Sequence, residues 1–499
     1  MSLEAKRDLA AYQLREIPGE GLRDACRSLG REGGRMQMAY AWRREDGMLE
    51  ARYLADPGAS RPFLVWRTPV GSDGVLPSLA LLAPLLSWYE REMADVSGLR
   101  FTGHPQPVPL LPDAPPASGA APSGEPARSP RDQWLPEFGD QDLQLLPYGP
   151  VRGGVLESAQ FLFLYAGEAI VHYQPLLFFK HRAMERRFEG LSPELGAVLA
   201  ERISGVGSVA HALAFCQAVE DAARCQPPPR ALALRSLLAE MERVYNHLHY
   251  FGHLSHATSL KVGEAEGMLL EEKAKQINAR LTGSRFLRSL LVPGGLRRDL
   301  DPAATARAAE AWQALQPRIV AYLRQLCQTR SHLDRLLTNG PLPLQTASDQ
   351  GATGPVGRAS GADWDLRRDH PYAAYLECTP TIAARIAGDA NARAEVRAAE
   401  LETSLDLIAQ LAQDLPSGPV RVPCAAAAGS EGLGWSESPR GALFYAVHFG
   451  ADGRCQRVKI KSPSFSNWRV FPFTVHDTNM MDYAINEASF GLTIAGCAR

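Results

Sequence analysis

Along residues 230–254, RALALRSLLAEMERVYNHLHYFGHL, the apolar positions Leu234, Leu237, Leu238, Met241, Val244, Tyr245, Leu248 and Phe251 recur at steps of three and four. That spacing places them on one stripe and predicts an amphipathic helix. Residues 265–283, 302–337 and 389–415 repeat the pattern, with Arg, Glu and Ala on the outer faces. PELGAVLAERI (193–203) also has helix formers at helical spacing, while 222–229 form a break bearing Cys225 and prolines. Nearer the N-terminus, the short apolar run FLVWRTPV (63–70) and the helical run LPSLALLAPLLSWYEREMADV (76–96) predict a small α/β unit. Near the other end, RGALFYAVHFGADGRCQRVKIKSPSF (440–465) alternates apolar and polar residues around an ADG turn and predicts a β-hairpin.

Between these regions runs PDAPPASGAAPSGEPARSPRD, residues 112–132. It has too little apolar surface to offset the entropy of ordering and reads as a linker. The expected organisation is an α/β domain at 1–111, a linker at 112–135 and a larger domain at 136–499. The fold class is α+β: a small α/β domain, then a mainly helical bundle with a small C-terminal β element. A bundle of striped helices builds any site at its centre.

A chain of 499 residues exceeds one ordinary core, in keeping with this division. Its net charge of −2 gives no reason to expect nucleic acid or another polyanion as partner. The N-terminal MSLEAKRDLAAYQLREIPGE mixes both charge signs without the apolar core of a secretory signal. The longest apolar run, SLALLAPLLSWY, falls short of the roughly 20 residues that span a bilayer. Partners would therefore have to hold the chain at a membrane. The eight cysteines form no CxxC pair, which argues against a thiolate site built from local pairs and fits reduced thiols.

ERISGVGSVAHALAF (201–215) sets small residues between the charged pair Glu201–Arg202 and a helical run. Gly205–Ala210 spells GxGxxA, but a dinucleotide fingerprint needs a preceding strand in a βαβ unit, and the preceding run is helical.

Longer motifs carry a resemblance. WYEREMADVSGLRFTGHP (88–105) resembles the 30 kDa-type subunit of respiratory complex I. GPVRGGVLES (149–158), KHRAMER (180–186), ERISGVGSVAHALAFCQAVE (201–220) and LTGSRFLRSLLVPGGL (281–296) resemble its 49 kDa-type subunit. So do GATGPVGRASGADWDLRRDHPYAAY (351–375), GDANARAEVRAAELETSLDLI (388–408) and VKIKSPSFSNW (458–468). That subunit is related to nickel–iron hydrogenase large subunits. The two joined in one chain look like the large subunit of formate hydrogenlyase-type, group 4 membrane hydrogenases.

The resemblance implies a subunit of a membrane-associated redox complex, on the cytoplasmic face. Its implied neighbours are a small iron–sulfur protein holding a 4Fe-4S cluster and integral membrane subunits. Hydrogenase relatives hold nickel and iron with four thiolates, and soft sulfur ligands cannot be replaced by a hydroxyl or a glycine. Those positions fall at Ser204, Gly207, Thr493 and Gly496, with Cys497 alone and one step out of register. No metal is therefore expected, and no cofactor held by this chain alone. Complex I relatives use the same space for a quinone. The headgroup-binding histidine falls at Gly153, the tyrosine at Gly205, and the aspartate that pairs with the histidine near Ala257. An altered or lost quinone-type pocket follows, with Gly153, Arg202, Ser204, Gly205 and Ala257 as its candidates and no catalytic residue assigned. Arg202 either faces that pocket or forms a structural ion pair.

Three further features have plain structural readings. His249, His253 and His256 share one helix face at i, i+4, i+7, a metal-compatible spacing that more commonly marks a solvated face. His181 and Glu185 read as bundle packing, and His211 as a hydrogen-bonded helix residue. Two roles remain open: an oxidoreductase subunit with an acceptor pocket, or an inert scaffold of the same kind of complex.

Overall fold

The computed structural model describes residues 12–44, 46–111, 143–152, 157–476 and 478–499. The expected 112–135 linker and Gly153 lie outside the described residues.

The first part of the chain forms β1 (Tyr12–Glu16), α1 (Leu22–Arg31), β2 (Arg35–Arg43), β3 (Leu49–Asp56), β4 (Phe63–Pro69) and α2 (Ser87–Ser97). The sheet order is β1-β4-β3-β2, with β1 parallel to β4 and the other pairs antiparallel. The helix expected over 76–96 begins only at Ser87. Pro77 and Pro84 interrupt the run, and Val75–Pro77 pairs with Arg100–Thr102 instead. The Glu90 carboxylate, accepting from Leu79 N at 2.7 Å, fixes the extended stretch in between.

The second part opens on a sheet that the periodicity did not predict: β5 (Gln144–Tyr148), β6 (Gln160–Ala166) and β7 (Ala169–Leu176), paired antiparallel in that order. The helices then follow the apolar stripes: α3 (Pro193–Ala200), α4 (Ser208–Ala222), α5 (Pro229–Ala257), α6 (Lys261–Thr282), α7 (Pro302–Gln328) and α8 (Ala390–Gln413). The stripe over 302–337 is divided where Thr329 turns to extended backbone before a short helix, Arg330–Leu336. The expected hairpin is β9 (Gly441–Phe449) with β10 (Cys455–Lys461), joined on its other edge by β8 (Glu431–Ser438). β8 lies directly on α4. A Cβ at Gly432 or Gly434 would sit 2.0 Å from the carbonyl oxygen of Ala218 or Ala214, so only glycine allows that approach. The chain closes with α9 (Tyr483–Phe490) and α10 (Ile494–Ala498).

A network of buried charges ties these elements together. Arg367 reaches Glu240 at 3.1 Å and Asp365 at 2.9 Å, and Arg358 reaches Asp365 at 3.1 Å and Glu437 at 3.2 Å. Arg243 lies 3.2 Å from Glu240 and 3.5 Å from Glu400, and Arg358 also pairs with Glu400. All of these side chains are buried. They come from α5, α8, β8 and the short helices at 354–359 and 366–369.

The N-terminal sheet packs on the β8–β10 sheet through polar and aromatic contacts. Tyr40 Oη meets His448 Nε2 at 3.0 Å, while Trp42 stacks on the same imidazole at 4.2 Å. Phe63 is enclosed by Trp435, Phe444 and His370, and His370 Nε2 meets Asp56 at 3.0 Å. Lys459 Nζ donates to Glu92 at 2.7 Å and Arg499 to the same carboxylate at 2.8 Å.

Truncating one partner of a buried ion network strands the others without compensation. Glu240→Ala is expected to cost about 3–5 kcal/mol, read as a lowered denaturation midpoint. Removing the exposed Arg27–Asp24 pair should leave the midpoint unchanged.

Candidate functional site

The small-residue turn at 204–207 connects α3 to α4 and is fastened from three sides. Val206 O accepts from Asn246 Nδ2 at 2.8 Å and from Tyr245 Oη at 3.2 Å. Gly205 O accepts from Arg288 Nη2 at 3.1 Å, and Ser208 Oγ donates to Phe286 O at 2.6 Å. A helix precedes the turn, so the GxGxxA spelling has no βαβ context.

α4 starts without a side-chain cap of its own. The Glu242 carboxylate of α5 supplies one, accepting from Val209 N at 2.7 Å and Ala210 N at 3.0 Å. Burial outweighs those two hydrogen bonds and pushes Glu242 up to about 7.

Beside this turn lies a cavity of about 460 Å³. Ser204, Gly205 and Val206 form one edge, and Asn246, His247, Tyr250 and two histidines of α5 form a wall. Arg397 of α8, Arg440 of the β8–β9 turn, and Trp468 contribute from the bundle. Arg152, Glu157, Glu487 and the 491–494 segment complete it.

The cavity is rich in hydrogen-bond donors. Arg440 is half-buried, donating to Gly491 O at 2.7 Å and Asn246 Oδ1 at 2.9 Å, and desolvation pushes its pKa down to about 10. Arg397 donates to Phe490 O at 2.7 Å, and its guanidinium lies 4.1 Å over the Tyr250 ring. Both guanidiniums hold the C-terminal end of α9, where helix carbonyls carry partial negative charge. Trp468 is 2% exposed and its indole Nε1 has no hydrogen-bond partner among the described residues. Two carboxylates offset this charge. Glu487 pairs with Arg152 at 3.0 Å, yet burial raises its pKa. Glu157 caps α10, accepting from Ala495 N at 3.0 Å. The Glu400 carboxylate accepts from His247 Nε2 at 2.9 Å, and burial holds the imidazole down to about 4, so it is neutral at pH 7.

The residues singled out from sequence distribute as follows. Ser204, Gly205 and Thr493 line the cavity. Thr493 is the N-cap of α10, its Oγ1 accepting from Gly496 N at 3.2 Å and lying 3.3 Å from Ser464 Oγ. Gly496 sits inside that helix, where a Cβ would meet Thr493 Oγ1 at 2.6 Å and two serine hydroxyls at 3.2 and 3.3 Å. Gly207 is buried next to His211 and is not on the cavity wall. Cys497 is buried in α10. Arg202 lies half-exposed and pairs with Glu201 at 2.9 Å, away from the cavity. Ala257 ends α5, packed against the apolar core, and does not reach the wall either.

His211 Nδ1 meets Tyr445 Oη at 2.8 Å in the core, and burial pushes its pKa down to about 3. Glu185 is buried against Lys459 at 3.1 Å and Arg457 at 3.1 Å, which hold it down to about 2 against the cost of burial; His181 Nδ1 meets Ala498 O at 2.6 Å. His249 pairs with Glu271 at 3.1 Å and His256 with Glu264 at 2.9 Å, both on α6. His249 and His253 reach the cavity mouth, their rings parallel with centroids 6.3 Å apart. The sequence reading missed Arg152, Arg397, Arg440, Trp468 and Glu487. The arginine in the Pro439–Arg440–Gly441 turn was the one local signal available.

Comparison with known proteins gives this geometry a family. The model of the respiratory-chain NADH dehydrogenase 49 kDa subunit matches residues 267–431, and that of nickel-dependent hydrogenase matches 182–283. The 30 kDa subunit model matches residues 16–128. A D-type NADH-quinone oxidoreductase subunit of Salinispora arenicola is 32% identical over 338 residues, covering 66% of this chain and 86% of that protein. The chain belongs to the respiratory complex I 49 kDa subunit family. Like some relatives of that family, it carries the 30 kDa-type region in the same polypeptide. The C/D-type NADH-quinone oxidoreductase subunit of Cereibacter sphaeroides is 26% identical over 486 residues, covering 87% of this chain and 83% of that protein. Formate hydrogenlyase subunit 5 of Escherichia coli is 28% identical over 430 residues, or 81% of this chain and 74% of that protein.

Glu242 gives a test of how this complex I-type turn is held. Its pKa is higher folded than the ordinary 4.5, so the folded state binds the extra proton and stability falls as pH rises through about 7. Glu242→Gln removes that titration. The thermal midpoint of the native chain relative to this variant should therefore fall between about pH 5 and pH 8. Glu242→Ala strands two buried N–H groups and should cost about 3 kcal/mol at either pH.

Proposed function

We propose that this chain is a subunit of a membrane-associated, complex I-like redox assembly whose cavity takes a small electron acceptor of quinone type. In this reading the chain sits on the cytoplasmic face of the membrane, next to a small iron–sulfur protein and above integral membrane subunits. Among the described residues no helix is long and apolar enough to cross a membrane, so partners supply the anchorage. The neighbouring iron–sulfur protein supplies the two electrons.

The observation that carries the reading is the cavity itself. It stands between the 204–206 turn and the 491–494 segment, and half-buried Arg440, buried Arg397 and Arg152, and Trp468 Nε1, unpaired among the described residues, surround it. An acceptor with two carbonyl oxygens needs donors for both and takes up two protons with its two electrons. Among the described residues the indole N–H and Arg152 Nε are wall donors without a partner, and the guanidiniums hold the positive field that favours the reduced, electron-rich form. Glu487, raised by burial, is a protonatable group on the wall.

The residues present do not suit a nickel–iron centre. The positions assigned to its thiolates hold Ser204, Gly207, Thr493 and Gly496, and the space over Gly496 is filled by Thr493, Ser462 and Ser464 hydroxyls. Oxygen donors of this kind are poor ligands for soft metals.

A bulky side chain at the cavity edge separates an acceptor pocket from an inert scaffold. Gly205 has ordinary backbone geometry and a Cβ there meets only Arg288 Nη2 at 3.9 Å, so a side chain such as that of Gly205→Trp can leave the backbone there without strain. Quinone-dependent oxidation by the purified assembly should drop at least about tenfold in this variant. Unchanged activity in an intact assembly would assign the scaffold role instead.

A further inference from the structure

Away from the cavity, two cysteines nearly two hundred positions apart in sequence meet at the protein surface. Cys225 lies in the turn between α4 and α5, and Cys424 in the connection from α8 to β8; both are half-buried. Cys225 Sγ lies 3.7 Å from the carbonyl oxygen of Pro423, the residue bonded to Cys424. Neighbouring Cα atoms are about 3.8 Å apart, so a sulfur at that carbonyl is within one rotamer change of the next side chain. Burial raises both thiols, and Cys424 is pushed up to about 12. A cleft of about 280 Å³ opens on Cys424, bounded by Glu194, Arg421 and Asp452, and gives small molecules a way in. The other cysteines contrast with this pair. Cys26, Cys216, Cys378, Cys455 and Cys497 are buried, and Cys327 is exposed on α7.

We propose that Cys225 and Cys424 form a reversible disulfide by exchange with a low-molecular-weight disulfide such as oxidised glutathione. The Cys225 thiolate attacks one sulfur of the small disulfide, forms a mixed disulfide and expels one thiolate. Cys424, after losing its proton to solvent, attacks the Cys225 sulfur and expels the second. One protein S–S bond forms, two protein S–H bonds are lost, and the two electrons reduce the small disulfide to two thiols. Cys225 attacks first because burial raises its thiol less than that of Cys424.

The bond has a mechanical consequence. The segment bearing Cys424 is an added strand on the 291–296 hairpin, where Leu296 N donates to Val420 O at 2.8 Å and Val422 N to Gly294 O at 3.0 Å. Oxidation latches that segment to the α4–α5 turn, whose neighbour Arg235 is anchored to Glu220 at 2.6 Å. The latch fastens the entrance of β8, the strand that ends in the network residue Glu437 and the Arg440 turn.

The test treats the full-length chain, in the assembly as isolated, with oxidised glutathione, then blocks free thiols by alkylation and maps peptides by mass spectrometry. The expected product is a peptide pair joined through Cys225 and Cys424 that a dithiol reductant releases, while Cys327 carries only a glutathione adduct. Cleavage by added protease within 414–430 should slow about tenfold on oxidation and recover on reduction. Cys225→Ser and Cys424→Ser should each abolish the joined peptide and the protection. The proposal is overturned if Cys225 retains glutathione while Cys424 is alkylated, or if both are alkylated while Cys327 carries the adduct.

Discussion

The cluster of Arg243, Arg358 and Arg367 with Glu240, Asp365, Glu400 and Glu437 is the constraint on which the larger part of the fold depends. Removing such groups from water costs several kcal/mol per ion, which only near-complete pairing offsets. The arrangement therefore holds only if α5, α8, β8 and the 354–369 segment sit in one relative position. Burial and the neighbouring Asp365 push Glu437 up to about 7, so the cluster relaxes its excess negative charge through that group. Apolar packing alone would let these helices slide; charge pairing fixes their register.

The cavity inherits its shape from this cluster. His247 on the cavity wall is oriented by Glu400, and Glu400 is a member of the network. Arg440 follows β8 by two residues, so the strand that delivers Glu437 to the cluster also delivers a guanidinium to the cavity. The turn at 204–207 is set against α5 by Asn246, itself on the cavity wall, and by Glu242 one helical turn before it. A donor-lined space is thus built on rigid elements, as precise positioning requires.

The helices were legible because their apolar stripes run for many turns, and the hairpin at 441–461 because its alternation is clean. β6 was missed because QFLFLYA is a continuous apolar run, which periodicity cannot assign to strand or helix. The run at 76–86 carries helix formers but is overruled by two prolines and by Glu90. Three positions named through the resemblance, Ser204, Gly205 and Thr493, line one cavity in the structure. The resemblance could not show that Thr493 is occupied as a helix cap, or that Arg202 turns outward to Glu201. The arginine wall was invisible for a simpler reason. Arg152, Arg397 and Arg440 stand on three separate segments, and only the packed bundle brings them to one space.

The contacts of the N-terminal sheet with the β8–β10 sheet bear on how the two halves came to share a polypeptide. Tyr40, Trp42, Phe63, Asp56 and Glu92 all meet partners from beyond residue 369, through buried rings and ion pairs. Such a seam is specific in itself and owes nothing to the peptide bonds that bridge it. A gene divided between the halves would yield two pieces that find each other and dock in the same pose. What the covalent tether adds is local concentration: the halves are made together, in equal number, and meet without searching.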